Sequence, residues 1–234
     1  MIMEKAEIEL KGKVCRIYGE KNARFLLIQF VDDHDLSVMD QETEEIAART
    51  GVPFLLVAVP VTDWNDDLSP WSAPAVFGNH PFGGRAEETL RDLQANVIPA
   101  LKKEFVPAQD CRLILGGYSL AGLFALWAAH TSDEWQGVAA ASPSVWFPGF
   151  SEFAKKSPIH AQAVYLSLGD REERTRNPVM AGVGDSIRSL HALYAENPRL
   201  ITALEWNEGN HFRDAGLRTA KAFAWVIQKL SKME

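Results

Sequence analysis

The chain predicts an α/β fold in which a mostly parallel central sheet carries helices on both faces and is entered through an antiparallel hairpin. Three observations carry this. Short, nearly continuous apolar runs recur along the 234 residues, as strands do when helices cover both of their faces. Between them lie segments with apolar residues at helical spacing. Ahead of the alternation, two short segments flank a Lys-Gly pair as the arms of a hairpin do.

Taken in order, Lys5 to Leu10 and Lys13 to Tyr18 form the predicted hairpin. Phe25 to Val31 and Phe54 to Val61 are buried strands, joined by a helix over Asp35 to Thr50. Glu87 to Phe105 places Leu90, Leu93, Val97, Ile98 and Leu101 on one helix face and leads into a strand at Arg112 to Leu115. A helix over Leu120 to His130, strands at Gly137 to Ala141 and Ala163 to Leu168, and a helix from Met180 to Glu196 continue the alternation. A last strand, Ile201 to Trp206, precedes a helix from Phe212 to Leu230. The expectation is one domain over residues 1–234, without repeats or linkers.

A formal net charge of -7 argues against nucleic acid or an anionic membrane surface as partner, since both select basic surfaces. The apolar runs are of strand length, far below the roughly 20 residues that cross a bilayer. Met1 to Leu10 alternates charged and apolar residues rather than forming a signal peptide, so a cytoplasmic location is expected. Cys15 and Cys111 read as free thiols within strands, with no disulfide framework or cysteine metal site. The implied partner is a small molecule, and the oligomeric state has no signature.

Gly117-Tyr118-Ser119-Leu120-Ala121 joins a buried strand to a strongly apolar helix. A serine hydroxyl becomes a useful nucleophile when a tight strand-to-helix turn exposes it, and small flanking residues let the backbone fold that tightly. Ser119 is therefore the candidate nucleophile. A nucleophile on such a turn takes its acid and then its histidine from later in the chain. His211, just after the last strand, is the candidate base, whereas His80, His130, His160 and His191 have no strand-end placement and His34 precedes the nucleophile. Three carboxylates, Asp170, Glu172 and Glu173, follow the strand that ends at Gly169 and compete for the acid. The oxyanion hole is expected from the backbone N–H of Leu120 and one near Val31 or Asp32. Asp32-Asp33-His34-Asp35 reads as helix capping rather than a metal site.

Gly117-Tyr118-Ser119-Leu120-Ala121-Gly122-Leu123-Phe124-Ala125 resembles the nucleophile region of the esterase family that includes enterochelin esterases, esterase D (S-formylglutathione hydrolase) and feruloyl esterase domains. Asp67-Leu68-Ser69-Pro70-Trp71, Phe82-Gly83-Gly84 ahead of a helix ending at Ile98-Pro99, and Gly209-Asn210-His211-Phe212 are similar to that family's segments in the same order. The resemblance runs from about Phe25 onward. It implies the α/β-hydrolase fold and ester hydrolysis by a Ser, acid, His triad through an acyl-enzyme, with no metal or cofactor. It places the acid three positions after Gly169, at Glu172. The family more often has glycine at Ala121, and His-Gly or Asp-Gly where this chain has Val31-Asp32-Asp33. Acyl transfer by the same residues, or a binding protein that keeps only the fold, are the rival readings.

The long stretch Thr62 to Gly84, rich in Pro, Gly, Trp and Asp, is expected to form part of the substrate entrance, with Trp64, Trp71 and Phe82 supplying apolar surface.

Overall fold

The computed structural model describes residues 4–10, 12–106 and 111–233; Lys11 of the Lys-Gly pair lies outside them. β1 (Glu4–Leu10) and β2 (Lys13–Gly19) form the antiparallel hairpin. β3 (Phe25–Val31) is buried at every position and leads into α1 (Asp33–Thr50), after which β4 (Phe54–Pro60) follows. Asp32 caps α1, accepting the Asp35 N–H at 2.8 Å while its own N–H donates to Asp35 Oδ2 at 3.3 Å. This reciprocal pairing satisfies N–H groups that the first helical turn leaves open.

The stretch 62–84 is more structured than its composition predicts. It holds α2 (Trp64–Leu68) and a small antiparallel ribbon of β5 (Ser72–Ala73) and β6 (Phe82–Gly83). Asp63 accepts the Asp66 N–H, and the Asp67 carboxylate accepts the N–H groups of Thr62 and Asp63. Local side-chain bonding organises this segment, and a search for apolar periodicity passes over it. The single helix predicted over Glu87 to Phe105 is α3 (Ala86–Asp92), a π-helical turn (Leu93–Val97) and α4 (Ile98–Glu104). Pro99 has no N–H and its ring crowds the preceding turn. The extra residue comes just ahead of it, with the Ile98 N–H bonded to Leu93 O.

The remaining elements are β7 (Arg112–Tyr118), α5 (Ser119–Thr131), β8 (Gly137–Ala141), α6 (Phe150–Lys156), β9 (Ala163–Gly169), α7 (Pro178–Ala181), α8 (Val183–Ala195), β10 (Ile201–Asn207) and α9 (Ala215–Leu230). α6 escapes the sequence reading because seven residues show too little of a helical period. The strands form one sheet in the order β1-β2-β4-β3-β7-β8-β9-β10, parallel from β4 to β10. Alternate residues of β3 face opposite layers. Leu26, Ile28 and Phe30 join a core with α3, α4, α5 and α8, while Phe25, Leu27 and Val31 join one with α1 and α9. Cys15 is buried and Cys111 half-buried, and both are free. Among the described residues no helix is long and apolar enough to cross a membrane.

Candidate active site

Parallel strands deliver their C-terminal ends to one edge of the sheet, where ligands of open α/β folds bind. Ser119 stands there between β7 and α5 with φ 55°, in the left-handed region that a serine rarely occupies. The turn is possible because Gly117 carries no Cβ, which would come within 2.7 Å of the Ala121 Cβ. Behind it, α5 is buried at every residue from Leu120 to His130. Such a helix is held by apolar contacts on all sides, so the elbow it begins is held with it.

Ser119 Oγ lies 3.0 Å from His211 Nε2, and His211 Nδ1 lies 2.6 Å from Glu172 Oε2. A carboxylate only accepts, so Nδ1 carries the hydrogen and Nε2 is left to accept from the serine. The other carboxylates that follow β9 are directed elsewhere. Asp170 accepts the Gly209 N–H at 2.8 Å, and Glu173 pairs with Arg188 at 3.3 Å.

Glu172 is held from behind. Its Oε1 accepts from Arg218 Nη1 at 2.8 Å, from Ser142 Oγ at 2.8 Å and from the Gly169 N–H at 2.7 Å. Burial alone would raise its pKa, but the bonds and charge of His211, with the Gly169 and Ser142 donors, hold it below the ordinary glutamate value. Gly169 is required here, since a Cβ would stand 2.4 Å from Gly209 O and 2.9 Å from Glu172 Oε1. Arg218, on α9 and 1% exposed, also donates to Tyr118 Oη and to the carbonyls of Glu208 and Asn210. Tyr118 in turn donates to His211 O at 2.8 Å. Burial, then the Glu172 charge, push this phenol up to about 12, so it keeps its proton. One guanidinium thus ties the acid, the histidine loop and the nucleophile strand together.

Sequence reasoning missed Arg218 and Ser142. The signal for Arg218 was present, because it shares a face with Ala222, Val226 and Leu230, where a charge is out of place unless paired. Ser144 was also missed. Its Oγ lies 3.3 Å from Ser119 Oγ, and its N–H donates to Ser119 O.

Of the expected oxyanion donors, the Leu120 N–H lies in the first turn of α5, where N–H groups have no intrahelical acceptor. The Asp32 N–H is already shared with Asp35. A cavity of about 150 Å³ over Ser119 is lined by Asp32, His34, Asp35, Trp64, Tyr118, His211 and Phe212, among others. Trp64 therefore reaches the site. Trp71 and Phe82 do not line this cavity: Trp71 packs on Phe147 and Phe153 and donates to Pro148 O, and Phe82 is buried against Trp146 and Phe147. Both are apolar groups that find more contact in the core beside α6 than in an open entrance. Among the described residues, Asp63, Asp66 and His80 alone bring ligand atoms within 4.8 Å of one another, so Asp32 to Asp35 form no such cluster.

The family model named Putative esterase matches residues 32–217, from the cap of α1 into α9 and across all three residues of the relay. The chain belongs to this family. It is a carboxylic ester hydrolase of the α/β-hydrolase fold. A comparison with curated protein sequences finds no match. Among solved structures, this esterase is similar to the siderophore hydrolase EstA from Aspergillus nidulans, at 22% identity and TM-score 0.73 over 98% of this chain and 95% of that one. It is also similar to an IroE-like serine hydrolase from Shewanella oneidensis (13% identity, TM-score 0.73, 96% and 79% covered). The enterobactin esterase FES from Shigella flexneri shares the fold at 14% identity and TM-score 0.67, with 98% of this chain and 60% of that one covered.

Proposed function

We propose that the protein hydrolyses small-molecule esters through a triad of Ser119, His211 and Glu172. The carrying observation is the unbroken relay of 3.0 Å and 2.6 Å from a strained serine to a buried carboxylate. His211 Nε2 takes the Ser119 proton as Oγ attacks the acyl carbon, and Glu172 stabilises the imidazolium that forms. The proton passes to the leaving oxygen, the acyl group stays on Ser119, and His211 then takes a proton from the water that releases it. Leu120 and Asp32 N–H groups steady the oxyanion, the latter in competition with Asp35 Oδ2. No metal or cofactor takes part in this sequence.

Trp64 borders the substrate, and Trp71 and Phe82 support the wall behind it. The names of the similar structures favour esters of the siderophore kind as a first panel. A fluorophosphonate probe tests the central claim, because it labels only an activated serine. The expected outcome is one adduct on the Ser119 peptide, lost in Ser119→Ala. An unlabelled, folded wild-type protein would leave a binding module that keeps the fold without the chemistry.

A further inference from the structure

A second cavity, of about 310 Å³, lies along α1 and the start of α9 and shares His34, Phe212 and Ala215 with the cavity over Ser119. Glu42, Glu45 and Asp214 line it, Asp32 and Asp35 line the first, and neither contains a Lys or Arg. Glu45 and Asp214 have surface partners in Arg49 and Arg213. Glu42 has none. It is 2% exposed, its Oε1 has no hydrogen-bond partner among the described residues, and its Oε2 meets Gln29 Nε2 only at 3.5 Å. A buried carboxyl with an idle oxygen is costly until a donor arrives. At the junction of the two cavities Phe212 stands 88% exposed, and an aromatic face beside carboxylates is a recurring setting for an organic cation.

The chemistry sharpens the point. The tetrahedral intermediate on Ser119 is an anion, and walls of carboxylates raise its energy unless the substrate brings positive charge with it. We propose that the groove is a subsite for a primary ammonium or guanidinium group of the ester substrate, with Glu42, Glu45 and Asp214 accepting its N–H donors and Phe212 covering its alkyl stem. This rests on the serine-esterase reading above. Burial, and then the Asp35 charge, hold the Glu42 carboxyl well above its ordinary value against the Gln29 bond, and an ammonium beside it would draw it back toward the carboxylate.

The test compares kcat/KM within two sets of esters, so that the charge can sit on either side of the scissile bond. One set is the p-nitrophenyl esters of Nα-blocked lysine, norleucine and glutamate; the other is the acetates of 4-guanidinobutan-1-ol and hexan-1-ol. In at least one set the cationic ester should lead the neutral one by about tenfold or more at low ionic strength, shrinking toward about 0.5 M salt. The glutamate ester should trail. Glu42→Gln should pull the cationic-to-neutral ratio toward one, and the surface pair Glu45→Gln with Asp214→Asn gives the same readout should Glu42→Gln misfold. Ratios within about twofold of one in both sets, or ratios that these variants leave alone, overturn the subsite. Failure of the parent reading looks different, as no ester turnover or turnover that survives Ser119→Ala. Calorimetric titration with hexylamine against hexan-1-ol then decides the subsite alone: amine-selective binding weakened by the same variants sustains it, and equal or absent binding removes it.

Discussion

Two sets of buried carboxyls flank Ser119, and they are built in opposite ways. Glu172 receives Arg218, Ser142 and the Gly169 N–H on one oxygen and His211 on the other, so burial does not keep it protonated. Glu42 and Asp35 lie about as deep, but no Lys or Arg among the described residues lines the cavities beside them. Burial first, and then the Asp32 charge, push Asp35 up to about 6 against the Asp32 N–H and His34, and burial holds Glu42 well above its ordinary value. Depth is similar on the two sides, and the supply of donors sets the charge. The supplied side favours the ionised carboxylate, and the unsupplied side shifts toward the neutral carboxyl.

The largest effects should come from breaking the supplied side at its chemistry. Ser119→Ala should lower kcat by roughly a factor of 10⁶, and Glu172→Gln by roughly 10⁴ with KM little changed. Steady-state kinetics on folded variants check both, and the Ser119→Ala, His211→Ala double variant should lose little beyond either single one. Asp170→Asn and Glu173→Gln should retain turnover, since neither carboxylate meets His211.

Next comes the cation itself. Arg218→Met strands Glu172 among its remaining donors and should cost about 3–5 kcal/mol in denaturant unfolding at neutral pH. The depressed pKa of Glu172 means that its contribution is present above the ordinary carboxyl value and lost as pH falls through the lower folded one. The penalty of Arg218→Met should therefore shrink in acid. A penalty independent of pH would mean that Arg218 acts through packing and its carbonyl bonds alone.

On the unsupplied side the sign reverses. The raised pKa of Asp35 favours its protonated form in the fold, so its contribution is full below about 3.8 and is lost as pH rises through about 6. Asp35→Asn should gain up to about 3 kcal/mol at about pH 7.5, with the gain vanishing near pH 4. Melting curves across that range decide it; a variant less stable than wild type at neutral pH would show the carboxylate to be more valuable as a cap than it is costly as a buried charge.

The smallest effects separate the tryptophans. Trp64→Ala should reorder substrates with little change in melting temperature. Trp71→Ala should cost about 2 kcal/mol and leave the order intact.

What the chain discloses follows from the range over which each feature is specified. The inner strands of the main sheet are legible because burial on both faces leaves runs such as Phe25 to Val31 almost without polar interruption, and the hairpin because its arms flank a Lys-Gly pair. Strand ends point to Ser119 and His211, whereas the end of β9 leaves Asp170, Glu172 and Glu173 in competition, and only the family resemblance singles out the Glu172 that meets His211. The segment Thr62 to Gly84 is read poorly, since its helix and ribbon depend on Asp63 and Asp67 bonding the backbone. Trp71 and Phe82, expected at the substrate entrance, lie outside the cavity over Ser119 for a related reason: an aromatic in a loop carries no mark of whether it turns outward or back to α6. Arg218 stayed hidden because its meaning lies in five partners spread from Tyr118 to Asn210.

α9 is made after every strand, yet it fills the layer against β7, β8 and β9 and packs along α1 from the first third of the chain. Until it docks, Ile114, Ala139 and Tyr165 have no cover on that face. Contacts closed over so long a span form late and slowly. Nascent chains short of Ala215 should thus present an open apolar sheet face to chaperones. Because the same docking step inserts Arg218 behind Glu172, hydrolytic activity should appear only with it, making the onset of turnover during refolding a clock for the last tertiary event rather than for collapse.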